Sequence, residues 1–399
     1  MTIGERVAWY RRRRGLSQEV LAGLVGRTAD WLGKIENGRA NLERLSVIKA
    51  LAEALDVTVG DLLGEPAVMD WPGNIPRRAV GLLRSSLLDY PSLVPRLSDA
   101  DPISPEQLRS GIEKAWSAYQ DSQFGYASTV LPRIITGAQS AIAEVASDHA
   151  RREMHEMLAS AYHVTAATLA KVGETDLAWI ASDRGLTAAE SSERPETIAS
   201  LLRSVAHSLM ANGHYGTAAD VATRASDRLS SRMRPENSPL NCSLLGSLHL
   251  VGAMAAARAD RAPEARDFMT RAWRCGNLLK ADANYGWTAF GPTNVAVHDV
   301  SVALENGDVQ VALHLIARVD ASALPVERRV RHSLEVARIY HFTNAPDKAL
   351  QEILDAERDA PEQVRYHYIA RELVISWLRR PLPGIHREVD ELAQRLHLN

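Results

Sequence analysis

Residues 11–39 carry the clearest chemical pattern in this chain. Four consecutive arginines, Arg11–Arg14, end one helical pattern, and Ser17 opens a second, shorter one. After a turn near Gly26, a third helical pattern ends at the pair Asn37-Gly38, which favours a left-handed helix cap. A helix of this size fits the major groove of DNA, and flanking basic or amide side chains can donate to phosphates. The stretch therefore predicts a helix-turn-helix that contacts duplex DNA.

The positive charge that could attract DNA is concentrated in one segment of the chain. The 399 residues have 46% hydrophobic and 24% charged side chains, which is typical of a soluble globular protein with a sizeable core. The net charge is −3, so no overall basic field attracts nucleic acid. Residues 1–14, however, hold five arginines against the single acid Glu5. DNA affinity must therefore come from this patch.

The sequence favours a cytoplasmic protein. The N-terminus lacks the apolar core of a signal peptide, and no window offers about 18 uncharged apolar residues for a membrane span. Cys242 and Cys275 are 33 positions apart and form no CxxC pair. We therefore expect reduced thiols, with neither a disulfide framework nor a metal site.

Apolar spacing and turn residues predict an all-α chain. A fourth helix is expected from Asn41 to about Leu55, and Thr58 is expected to cap a short fifth one, with Asp61 in its first turn. Residues 64–76 then break the pattern with prolines and glycines. The predicted domains are a five-helix DNA-binding domain at 1–65, a linker with a connecting helix near 79–90 at 66–105, and a helical body at 106–399.

A weak repeat runs through the helical body. Each copy pairs a turn residue with a small residue several positions later. The turn residues are Gly173, Gly213, Asp260, Gly307 and Asn344, with Tyr119 marking a looser first copy, and the small ones are Ser128, Ala178, Ala218, Ala265, Ala312 and Ala349. The small residues are 50, 40, 47, 47 and 37 positions apart, more than the roughly 34 of a bare two-helix unit. Helix pairs that approach closely at small residues stack into a curved α-solenoid.

Both halves resemble known families. Ser17-Gln18-Glu19, Leu21-Ala22 and Ile35–Arg39 (IENGR) resemble the Cro/repressor-type helix-turn-helix of the xenobiotic-response-element (XRE) family. The body is similar to tetratricopeptide repeats (TPR), with loose motifs over residues 106–361. The combination is similar to bacterial regulators whose TPR body senses a small peptide or another signal and controls a DNA-binding domain.

The resemblance implies which side chains contact DNA. The recognition helix is expected over about Thr28–Asn37, with its reading edge at Thr28, Ala29, Asp30 and Lys34. Lys34 can donate to guanine, and Ala29 can contact a thymine methyl. Asp30 departs from the usual amide or hydroxyl: it either accepts from cytosine or only stabilises the positive N-terminus of its helix.

The remaining predicted DNA contacts are to phosphates. Gln18 and Asn37 carry donors near helix ends, and the cations are Arg12, Arg13, Arg14 and Arg39. The alternative for the arginine run is a solvated face. Arg11 is assigned instead to a structural pair with Glu36, as in repressors of this class, and Trp31 to packing rather than intercalation.

The TPR resemblance also implies ligand-binding residues. Aligning each copy on its turn directs a set of donors and cations toward the inner groove: His163, Arg203, His207, Arg258, Asn294, His298 and Arg338. Such a set suits an anionic or peptide ligand, although each member alone could be an ordinary groove-wall contact. The stretch WTAFGPTN at 287–294 is either a pocket loop or a plain connector.

Enzyme functions find no support. His155-Glu156 begins an HExxH motif, but Ala159 stands where the second histidine is required. Phosphate-binding and nucleophile-elbow motifs are absent from the sequence, so we predict a non-enzyme without cofactor or metal.

The sequence-based hypothesis is a homodimeric transcriptional regulator. Its partners would be double-stranded DNA with a palindromic operator and a signal peptide or small molecule, but not a membrane. The alternative is a TPR interaction adaptor that its N-terminal domain targets to DNA.

Overall fold

The computed structural model describes residues 2–40, 42, 44–55, 57, 62, 75–88, 103–230, 232, 234–380 and 384–398. Within these ranges the secondary structure is helical, as predicted. The chain forms two compact units. One consists of Met1–Ala67, Ala253–Arg266 and Ala296–Asn399, and the other of Val68–Gly252 and Asp267–Val295.

The first unit contains the N-terminal helices, and we call residues 2–62 the head. Its helices are α1 (Ile3–Arg13), α2 (Gln18–Leu24), α3 (Ala29–Glu36) and α4 (Leu45–Leu55). Side chains of Thr2, Ser17 and Thr28 accept hydrogen bonds from the first turns of α1, α2 and α3, which fixes where each helix begins. Their apolar faces share one core, which includes Val7, Leu21, Leu32, Ile35 and Leu51.

Helix α4 begins later than predicted. Leu42 lies outside any helix, and the carbonyl of Arg44 accepts the first helical hydrogen bond, from Ile48. The residues between α3 and α4 first form the turn that ends α3. In this turn the amides of Arg39 and Ala40 both donate to the carbonyl of Lys34, so α4 can begin only after it. The predicted fifth helix falls mainly outside the described residues, as do Asn41, Glu43, Thr58 and Asp61.

The second unit begins with the connecting helix and continues with helix pairs. Helix α5 (Ile75–Leu88) starts four residues before the predicted Ala79. Pro76 lies in its first turn, where proline is tolerated because backbone amides there have no acceptor within the helix. Most of the predicted linker at 66–105 that flanks this helix lies outside the described residues. The next helices are α6 (Pro105–Gln120), α7 (Phe124–Glu144), α8 (Asp148–Lys171), α9 (Thr175–Ser192), α10 (Pro195–Ala211) and α11 (Tyr215–Ser230).

Three helices then contribute residues to both units, and the remainder belong to the first. They are α12 (Pro239–Arg258), α13 (Ala262–Leu279) and α14 (Pro292–Glu305), followed by α15 (Val309–Ile316), α16 (Val326–Phe342), α17 (Pro346–Asp359), α18 (Pro361–Tyr366), α19 (Tyr368–Arg379) and α20 (His386–Arg395). Contrary to the sequence-based expectation, one helix, α12, is long and apolar enough to cross a membrane, but 89% of its apolar window is buried inside the protein, as in a core helix.

The predicted repeat is confirmed in its backbone. All five turn residues named above have a positive φ, from +58° at Asp260 and Asn344 to +82° at Gly307. Ser122, which the sequence pattern did not single out, takes the same conformation between α6 and α7. The six small marker residues are all buried, as expected where paired helices approach closely.

Buried histidines make the second unit sensitive to acid. Burial lowers the pKa of His249 to about 4, and nearby Arg271 adds to the effect. Between about pH 6.5 and 4 the unfolded chain binds a proton at this site that the folded chain does not, so stability falls as the pH falls. The expected loss near pH 5 is about 2 kcal/mol relative to neutral pH.

Thermal unfolding of wild type and His249→Gln between about pH 5 and 7.5 checks this linkage. The variant should lose less stability on acidification than the wild type. The exposed His149 provides the matched control, since His149→Gln should not alter the dependence. Parallel pH profiles for wild type and His249→Gln would contradict the assignment.

Candidate nucleic-acid interface and ligand-site residues

The predicted reading edge lies on the solvent side of α3. Thr28 caps this helix and is exposed, and Ala29 follows at its first position, half-buried. Lys34 Nζ lies 2.7 Å from Asp30 Oδ2, one helical turn away. This exposed ion pair is worth only a few tenths of a kcal/mol, so either partner can exchange it for a base. Both alternatives stated for Asp30 remain compatible with this geometry.

A buried ion pair between α1 and α3 holds α3 in place. Arg11 donates to Glu36 through Nε (2.5 Å to Oε1) and Nη2 (2.8 Å to Oε2), and both residues are buried. This confirms the structural pairing that the resemblance implied. The carboxylate raises the pKa of Arg11, because the hydrogen bonds favour the charged guanidinium. Arg11 Nη1 also donates to the carbonyl of Leu16, which ties α1 to the turn before α2.

Two predicted phosphate donors hydrogen-bond within the head. Gln18 Nε2 donates to Glu36 Oε2 at 2.7 Å, which makes Gln18 a third member of the brace. Asn37 Nδ2 donates to the carbonyl of Gly33 at 2.8 Å and so closes the end of α3. Each amide nitrogen carries two hydrogens, so these bonds are compatible with the predicted contacts to DNA.

The predicted phosphate-binding arginines are all exposed: Arg12, Arg13, Arg14 and Arg39. Arg13 stacks on the ring of Trp9 at 5.1 Å, and Arg14 Nη1 lies 3.5 Å from the carbonyl of Ala54. Arg27, which the sequence reasoning missed, lies 5.7 Å over the ring of Trp31 at the turn before α3. Trp31 is half-buried, consistent with the predicted packing role. The head thus presents cations at the end of α1 and in the turns flanking α3.

The predicted ligand residues of the second unit include one buried contact. Arg203 Nη2 lies 3.3 Å from His163 Nε2, and both side chains are buried. Burial, and secondly the cation of Arg203, hold the pKa of His163 well below its usual range, so the ring is neutral. The His163 ring meets Trp116 edge-on at 4.8 Å, and Trp116 stacks on Trp287 at 6.0 Å. Of the other predicted residues in this unit, His207 is half-buried and lies one helical turn after Arg203 in α10.

The stretch 287–294 is packed into the second unit. Phe290 is fully buried, and its ring fills the space where a Cβ on Gly246 would lie. Asn294 is also buried, and its Nδ2 donates to the carbonyl of Ala289 at 2.9 Å. These contacts favour the connector interpretation, with Trp287 contributing its ring to the aromatic cluster.

The first unit holds a second polar cluster. Arg258 Nη2 lies 3.3 Å from Glu305 Oε1 in a largely buried ion pair. Arg338 is buried and lies 5.3 Å over the ring of Phe342, and His298 is half-buried. Among the described residues, no cluster of three or more His, Cys, Asp or Glu side chains could hold a metal ion.

Comparison with known proteins agrees with the geometry of the head. Residues 2–64 match the family model described as "Helix-turn-helix domain". Residues 2–64 are a helix-turn-helix domain. The "HTH-type transcriptional regulator SinR" of Bacillus licheniformis is 24% identical over 122 residues, which is 30% of this chain and 99% of that protein.

Two solved structures are similar at lower levels. PilF of Pseudomonas aeruginosa has a TM-score of 0.35 and 15% identity, covering 64% of this chain and 93% of its own. PlcR of Bacillus thuringiensis, solved with the peptide PapR7 and DNA, has a TM-score of 0.30 and 15% identity, covering 70% and 95%. The paired helices and left-handed turns described above make the body of this chain TPR-like.

The helix-turn-helix domain also contacts repeat helices of its own unit, which the sequence did not predict. The backbone amide of Ile3 donates to Glu372 Oε1 at 2.9 Å, and Arg6 Nη2 lies 3.4 Å from Oε2. Arg379 pairs with Glu5 and donates to Thr2 Oγ1 at 3.3 Å. Burial raises the pKa of Glu372, against the opposing effects of the Ile3 amide and the two arginines.

Proposed function

We propose that this protein is a DNA-binding transcriptional regulator whose TPR-like body senses a small peptide or small molecule. The observation that carries the proposal is the exposed edge of α3, backed by the buried Arg11–Glu36 pair and flanked by exposed arginines. A rigidly braced helix with cations on either side meets the requirements for entering a major groove between two phosphate backbones.

The reading edge and the phosphate contacts should respond differently to mutation. Lys34→Ala removes a donor that contacts bases, so it should reduce discrimination between selected and random duplexes by about fivefold. Arg13→Ala removes a phosphate contact, so it should weaken binding to all sequences equally and reduce the log–log salt slope by about one per head.

Fluorescence anisotropy with a selected and a random duplex, between about 50 and 200 mM salt, tests both expectations. A wild-type salt slope near zero would contradict DNA binding through phosphates. Uniform loss of affinity in both variants would instead remove Lys34 from the base-reading set. Lys280→Ala, an exchange in the turn after α13, controls for the loss of one positive charge.

The signal-sensing part of the proposal concerns the two polar clusters. His163 with Arg203 in one unit, and Arg258 and Arg338 in the other, would provide buried or largely buried donors for an anionic or peptide ligand. Regulation would follow if the signal prefers one arrangement of the repeats and if that arrangement changes how two heads engage a palindromic operator. Native mass spectrometry of the purified protein would test both dimerisation and a retained ligand.

A further inference from the structure

The head is docked on repeat helices of its own unit at three places. Glu372 and Arg379 of α19 hold the N-terminus of α1. Arg44, just before α4, donates to the carbonyl of Asn306, and its Nη1 lies 3.9 Å from Asp260 Oδ1. Ser46 Oγ donates to the same Asp260 oxygen at 3.2 Å. The contacts are polar and come from residues more than 200 positions apart in sequence.

This docking interface is incompletely packed. Between the polar contacts lies a cleft of about 80 Å³, lined by Ile3, Ile35 and Ile48 of the head and by Phe342 and Ile369 of the repeats. Protein interiors are close-packed, and a gap of this size forgoes dispersion contacts on both sides. The polar contacts at the edges of the cleft therefore help to hold the head in place, beside the buried apolar side chains that line it.

Two repeat turns are shaped to hold Arg44. Gly307 has φ +82°, and a Cβ at this position would lie 2.8 Å from Arg44 Nε, so the guanidinium occupies the space that glycine leaves. Asp260 takes the equivalent turn position of another helix pair with φ +58°, where the other turns use glycine more often. Its carboxylate faces the segment that leads into α4, with Arg44 and Ser46 as partners.

Arg44 belongs to the segment that leaves the recognition helix. Gly38 and Ala40 line the cleft, so the repeats lie beside the segment of the head that follows α3. A helix seated in the major groove has phosphates on both sides, and cations in its flanking segments meet them. In the docked head, Arg44 is held by a carbonyl and a carboxylate instead. Asp260, 61% exposed, adds a negative charge beside it that repels DNA.

We propose that docking on the repeats lowers the affinity of the head for DNA, because Asp260 and the carbonyl of Asn306 hold Arg44 away from phosphates. The docked head is the low-affinity state, and release of Arg44 from Asp260 raises affinity. This inference rests on the proposed DNA-binding function.

The substitution Asp260→Gly tests the proposal without straining the backbone. Glycine accepts φ +58° more readily than aspartate, so the turn keeps its conformation while the carboxylate is lost. Asn344→Gly is the matched control, since Asn344 has the same φ of +58° at the turn between α16 and α17. Asp260→Gly/Arg379→Ala removes the contact to Glu5 as well and releases the head further.

Anisotropy titration of the full chain with a fluorescein-labelled random duplex gives the readout. Asp260→Gly should bind about threefold more tightly than wild type, and its log–log salt slope should be steeper by about one per head as Arg44 joins the phosphate contacts. The double variant should bind more tightly still, and Asn344→Gly should match wild type.

The remaining outcomes contradict either the inhibitory role of docking or the proposed DNA-binding function. Equal or weaker binding by Asp260→Gly, or an equal gain in Asn344→Gly, overturns the proposal. If neither wild type nor any variant binds duplex at low salt, the proposed DNA-binding function itself fails. If all bind with the same affinity and slope, that function stands and only the inhibitory role of docking is refuted.

Discussion

A chain with alanine at positions 12, 13 and 14 is expected to bind duplex DNA on the order of a hundredfold more weakly per head than the wild type near 100 mM salt. Arg12, Arg13 and Arg14 are exposed at the end of α1, where they also interact favourably with the negative end of that helix. Each phosphate contact releases roughly one counterion, so removing three should lower the log–log salt slope by about 2.7 per head.

The measurement is anisotropy with one random duplex over a salt series, analysed as slope and affinity together. Alanine has the highest helix propensity, so α1 should fold in the variant, and circular dichroism of the full chain can verify this. The matched control replaces three exposed arginines of the body, Arg224, Arg274 and Arg387, by alanine. This control variant has the same net charge as the variant with alanine at 12, 13 and 14. An equal loss of DNA affinity in both would show that the net charge of the whole protein, and not the arginines of α1, determines the affinity.

Local patterns predicted the head well because its structure depends on short-range interactions. The caps at Ser17 and Thr28, the positive φ at Gly26 and Gly38, and the buried positions Leu32 and Ile35 follow from side-chain chemistry within a few residues. The start of α4 was wrong because nothing local marks Arg44 as the residue that precedes it. Its side chain is instead engaged by Asn306 and Asp260, far along the chain.

The turns of the repeat could be predicted from the sequence, but the groups that contact each polar side chain of its helices could not. A left-handed turn favours glycine, asparagine or aspartate, and this preference is visible in one sequence. Whether a donor on a repeat helix faces a ligand, a carbonyl or another side chain depends on neighbouring helices. Asn294 illustrates this point, because its amide donates to the carbonyl of Ala289 in its own loop. Glu372 illustrates the reverse: a residue with no motif around it accepts from the first amide of α1.

The Arg11–Glu36 pair should contribute more to stability than any other side-chain contact described in the head. Both groups are buried, the guanidinium donates twice to the carboxylate, and Gln18 donates to the same carboxylate. Glu36→Ala leaves the charge of Arg11 buried without this partner, which typically costs about 3–5 kcal/mol. Joint replacement by Arg11→Met and Glu36→Leu should cost less, because no charge is then left uncompensated.

Hydrogen exchange of the full chain measures this cost where it arises, in the amides of α2 and α3. Glu36→Ala should raise the hydrogen-exchange rates of these amides toward those of an unfolded segment. Glu19→Ala, a substitution at an exposed position of α2, should leave the rates unchanged. Because α3 is the predicted reading helix, DNA affinity should fall with the folded fraction of the head and recover partly in the double variant. An exchange pattern in Glu36→Ala equal to that of wild type would show that α3 is held by its apolar contacts, Leu32 and Ile35, and that the buried pair adds little.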